Sequence, residues 1–68
     1  MDAALQDYAQ PFADMDPSAA AAILENMTGD PELAAKILMQ LTPASRGEVL
    51  AAMDSEFAAR LTRIMDPE

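Results

Sequence analysis

Asp16-Pro17-Ser18-Ala19-Ala20-Ala21-Ala22-Ile23-Leu24-Glu25-Asn26-Met27 is the stretch that decides the fold of this chain. Proline at the first position of a helix gives up only an N–H that has no intrahelical partner there. An aspartate directly before it accepts from one of the orphan amides of the first turn. Asp16-Pro17 therefore marks a helix start. From that start, Ala20, Ile23, Leu24 and Met27 fall on one face at the 3.6-residue period.

The same phrase recurs along the chain. Starts are read at Pro17, Pro31, Pro43, Ser55 and Pro67, each preceded by Asp or Thr (Asp16, Asp30, Thr42, Asp54, Asp66), with spacings of 14, 12, 12 and 12 residues. Three and four residues after the starts come Ala20-Ala21, Ala34-Ala35, Arg46-Gly47 and Ala58-Ala59, mostly small pairs that let a neighbouring helix approach. Six and seven after come Ile23-Leu24, Ile37-Leu38, Val49-Leu50 and Leu61-Thr62. Ten after come Met27, Leu41, Met53 and Met65. The two extra residues of the first interval are Thr28-Gly29, and Gly29 is expected to close its helix in the left-handed conformation. Helices are predicted near 17–27, 31–41, 43–53 and 55–65, within a repeat region of 14–68. A preceding helix from Ala3 to Phe12, carrying Leu5, Tyr8 and Phe12, is expected to cap the repeats from within residues 1–13.

Such short joints do not make a long up-and-down bundle. They favour helices that turn sharply and stack, so the predicted fold is all-α, an armadillo-like solenoid of about five short helices. Asp66-Pro67-Glu68 opens a repeat and stops, which reads as a chain cut from a longer protein or a natural end.

Composition limits the chemistry. The chain has 68 residues, 12 acids against 4 bases, a net charge of −8, and no Cys, His or Trp. No imidazole is poised near neutral pH, no thiolate is available, and the usual zinc and iron–sulfur ligands are missing. An enzyme is not expected. Nucleic acid binding rests on Lys and Arg, which are scarce. No apolar run approaches the ~20 residues of a membrane span, so a soluble domain without membrane insertion is expected. Residues 1–35 hold seven acids and no base, whereas residues 36–68 hold five acids and four bases. That asymmetry is either a solvated acidic face or a surface for a basic partner or divalent cation.

The phrase Asp16 to Met27, followed by Pro31-Glu32-Leu33-Ala34-Ala35-Lys36-Ile37-Leu38, resembles the intracellular N-terminal domain of MgtE magnesium transporters. That superfamily is similar in turn to the middle region of the flagellar switch protein FliG. The closest likeness is to small flagella-associated versions of the domain, of the MotE, YlxF or FlbB type, and it covers about Asp14 to Glu68. The resemblance implies a right-handed superhelix that contacts other protein parts. It implies a bacterial module of a larger motility protein, as in MotE-type chaperones, on either side of the membrane that anchors its parent. The alternative it implies is a magnesium-responsive cytosolic domain of a transporter.

Candidate contact residues are those that break the repeat. Met39 stands at the eighth position after its start, where the other helices have Glu25, Ala51 and Arg63. Ile64 stands at the ninth, beside Asn26, Gln40 and Ala52. Apolar side chains out of pattern suit a protein partner or a second copy. Arg60 and Arg63 suit the C-terminal dipole of the last helix or an acidic mate. Asp14 with Asp16, and Asp30 with Glu32, are the clusters weighed for a hard cation such as Mg2+, and helix capping explains them as well. Met15, Met27, Met53 and Met65 follow the helical period and are read as core. No catalytic or cofactor-binding residue is expected.

Overall fold

Each repeat start is closed by its own side chain. Asp16 accepts from the Ser18 N–H at 3.1 Å, Asp30 from Leu33 at 3.2 Å, Thr42 from Ser45 at 3.2 Å and Asp54 from Phe57 at 3.1 Å. These bonds satisfy amides that the first helical turn leaves without partners. The computed structural model describes residues 3–27 and 29–66. Among them the chain is all-helical, with α1 (Ala3–Asp14), α2 (Pro17–Glu25), α3 (Pro31–Met39), α4 (Pro43–Ala51) and α5 (Ser55–Met65). Thr28, the Pro67 start and the side chain of Tyr8 lie outside the described residues.

Three sequence expectations are corrected. First, α2, α3 and α4 end at Glu25, Met39 and Ala51, two residues before the ends read from periodicity. The amides of Met27, Leu41 and Met53 reach back only three residues, to Leu24, Leu38 and Leu50, at 3.0 to 3.3 Å. This tightening finishes each helix and places the tenth residue in the joint. Leu41 and Met53 are buried there all the same.

Second, Gly29 does not adopt a positive φ. The end of α2 is closed instead by the side-chain amide of Asn26, which donates to the Ala22 carbonyl at 2.9 Å, and by the Asp30 N–H on the Met27 carbonyl at 2.9 Å. Third, α1 runs to Asp14 rather than Phe12, with Pro11 inside it. Pro11 cannot donate one turn back, but its carbonyl accepts from the Met15 N–H at 3.1 Å, so the last turn still closes.

The main contacts join helices two apart. α3 packs most extensively on α5, α2 on α4, and α1 on α3, with smaller contacts between α4 and α5 and between α1 and α2. Two interleaved rows result, α1/α3/α5 and α2/α4. The body measures 29 × 27 × 23 Å with a radius of gyration of 10.8 Å, close to the ~11 Å of a globule of this length. Among the described residues the core is wholly apolar, with no buried polar or charged side chain. No helix there is long and apolar enough to cross a membrane.

Candidate interaction groove

The α3–α5 contact carries a groove at its surface. The floor is built from small and flexible side chains: Ala35 is buried beneath it and Met65 is half-buried at its edge. Glu32, Lys36, Met39 and Ile64 complete the lining of a space of about 250 Å³. Met39 is 50% exposed and Ile64 36% exposed. The two residues that break the repeat, 25 positions apart in sequence, thus flank one groove. Ala35 occupies the small-pair position of α3, and its lack of bulk lets α5 come close. Met39 lies one turn further along on the edge of that face.

The groove wall is fixed at both ends. Asp30 caps the start of α3, and Glu32 in its first turn and Lys36 in its last suit the helix dipole. At the other end, Arg46 donates from Nε to the Leu38 carbonyl and from Nη2 to the Leu41 carbonyl, both at 3.0 Å. The Leu38 carbonyl, which also accepts from the Leu41 N–H, belongs to the last turn of α3, and the Leu41 carbonyl stands in the joint beyond it, past the intrahelical donors. A guanidinium holds two such acceptors in a fixed fork. The position expected to hold a small residue therefore holds a clamp. Its sequence signal is a lone charge in a slot that is Ala in the three other repeats.

Arg60 lines a different space of about 430 Å³, together with Glu25, Asp54, Glu56 and Phe57. There the Glu25 carboxylate accepts from the Asp54 N–H, so the last residue of α2 ties down the cap of α5. Sequence reasoning missed Glu25, and a bond between residues 29 apart leaves no local signal. Arg63 is exposed in the last turn of α5. The structure therefore brings Met39 and Ile64 together and leaves Arg60 and Arg63 outside their groove.

Of the residues weighed for a cation, Asp16 and Asp30 cap α2 and α3, Asp14 is exposed at the end of α1, and Glu32 stands on the groove rim. Among the described residues no three carboxylates gather as metal ligands. Compared with family models, curated proteins and solved structures, the chain shows no match.

Proposed function

We propose that this chain is a non-enzymatic protein-interaction module whose helices form a right-handed superhelical stack, serving within a larger, flagella-associated bacterial protein. One observation carries the interaction reading. Two apolar side chains that the repeat does not require are exposed on one groove, above the buried Ala35. Exposed Met side chains repack readily against a partner. The packing of each helix on the one two along favours a stack, and the likeness of Asp16–Leu38 to MgtE-type N-terminal domains favours its handedness and the flagellar setting.

A photo-crosslinking amino acid placed at Met39 tests this in the parent bacterium, with the exposed Ala44 as control. Position 39 is expected to capture one defined component of the motility apparatus, and position 44 is not. Identical products from both positions would remove the groove as the contact. A specific partner from outside the motility apparatus would remove the flagellar setting and keep the module.

A further inference from the structure

With six methionines and no cysteine, all the sulfur of this chain is thioether. Oxidation of a thioether follows the access of oxidant to sulfur. The five described methionines differ in that access. Met53 is 7% exposed in its joint, Met15, Met27 and Met65 are half-buried against the core, and Met39 is 50% exposed. Met39 also stands outside the role that the repeat gives its methionines. Met27, Met53 and Met65 share the tenth position with Leu41, where each packs in or against the core. The eighth position, that of Met39, is held in the other repeats by Glu25, Ala51 and Arg63. The most accessible thioether is therefore one that the core does not need, and it lines the groove between α3 and α5.

We infer that Met39 is a modification site, its thioether oxidised by a hydroperoxide in the free chain, and that the sulfoxide closes the groove to its partner. The second half rests on the groove being the contact surface. With hydrogen peroxide, sulfur attacks one peroxide oxygen, and the S–O bond forms as the O–O bond breaks. Sulfur gives up two electrons, and the departing hydroxide takes the proton of the transferred oxygen to leave as water. Two thiols of a methionine sulfoxide reductase reverse the step, closing to a disulfide while the oxygen leaves as water. The sulfoxide oxygen is a strong acceptor, and burying it without a donor is unfavourable. Among the lining side chains, Ala35, Ile64 and Met65 donate nothing, Glu32 accepts, and only the Lys36 ammonium donates, exposed at the rim. An oxidised Met39 is thus satisfied at the water edge and not beneath an apolar partner. A partner seated on the groove shields the same sulfur, so oxidation and docking exclude each other. Met39 is the last residue of α3 and half in water, so its sulfoxide leaves the core intact.

Two measurements test the inference. In the first, the full chain is treated with hydrogen peroxide at levels that leave its circular dichroism unchanged, and each methionine is followed by peptide mass spectrometry. Met39 is expected to oxidise at least about tenfold faster than Met53, and ahead of Met15, Met27 and Met65. Equal rates at Met39 and Met53, or a half-buried methionine oxidised first, overturn the inference. In the second, the photo-crosslinking amino acid replaces Ile64 in the parent bacterium, which leaves Met39 in place. Capture is compared before and after peroxide, with and without Met39→Leu, which keeps a similar apolar volume and has no sulfur to oxidise. Peroxide is expected to weaken capture about tenfold when Met39 is present and to leave it unchanged in the Met39→Leu chain. Capture that persists while mass spectrometry shows Met39 sulfoxide overturns the closing of the groove and leaves the groove as the contact. Loss in both chains overturns it too, because the oxidised group then lies elsewhere. No capture from position 64 before peroxide removes the contact surface itself, and the closing of the groove with it.

Discussion

Helices α3 and α4 start alike and are held differently. Each is nine residues long, begins on proline, and is capped by the residue before it. Beyond that the likeness ends. α3 buries Ala34, Ala35, Ile37 and Leu38, whereas α4 buries Val49 alone and carries Gly47 within it. Glycine in a helix interior is about 1 kcal/mol less favourable than alanine. The cap and the proline therefore set where a helix begins and say little about what keeps it. α3 is stabilised by burial between its neighbours. α4 is stabilised by its cap, by Val49 with the half-buried Leu50, and by the Arg46 bonds that it lends to the end of α3.

That contrast can be broken by substitution. Leu38→Ala is expected to cost about 3 to 4 kcal/mol, a large share of the total stability of so short a chain. Val49→Ala is expected to cost about 2 kcal/mol. Urea melts of the two variants that gave equal losses would show that α4 is held by burial as firmly as α3. Arg46→Met comes next, with an expected loss of about 1.5 kcal/mol from two charge-assisted bonds that are part-buried. Faster amide exchange at Gln40 and Leu41 is the local sign of the lost clamp. Arg46→Lys keeps the charge without the two-pronged geometry, and full retention of stability by lysine would show that charge alone closes α3. The smallest effect is a gain. Gly47→Ala is expected to add about 0.5 to 1 kcal/mol, because φ there is not positive and the added methyl meets open space. A melting temperature that falls instead would show that α4 needs the freedom of glycine.

The starts were legible because they are local. A capping oxygen and the amide it serves lie two or three residues apart, and Asp16, Asp30, Thr42 and Asp54 all act within that range. Ends were less legible because the last amides choose between carbonyls three and four residues back, and side chains such as Asn26 arbitrate. Hydrophobic period alone placed Ile23, 44% exposed, with Ile37, 2% exposed, since period reports a face and not whether a neighbour covers it. Met39 and Ile64 stood out in sequence by breaking the repeat. Their meeting in one groove depends on the α3–α5 contact, which no local pattern announces. The tie from Glu25 to Asp54 was out of reach for the same reason.

Leu41 and Met53 are joint residues that sit in the core. A connection whose side chain is buried cannot act as a hinge. It offers a protease no strand to pull out, and a residue inserted there would draw Leu41 or Met53 out of its buried site. The segments that follow α3 and α4 therefore fix the spacing of the chain as firmly as the helices do.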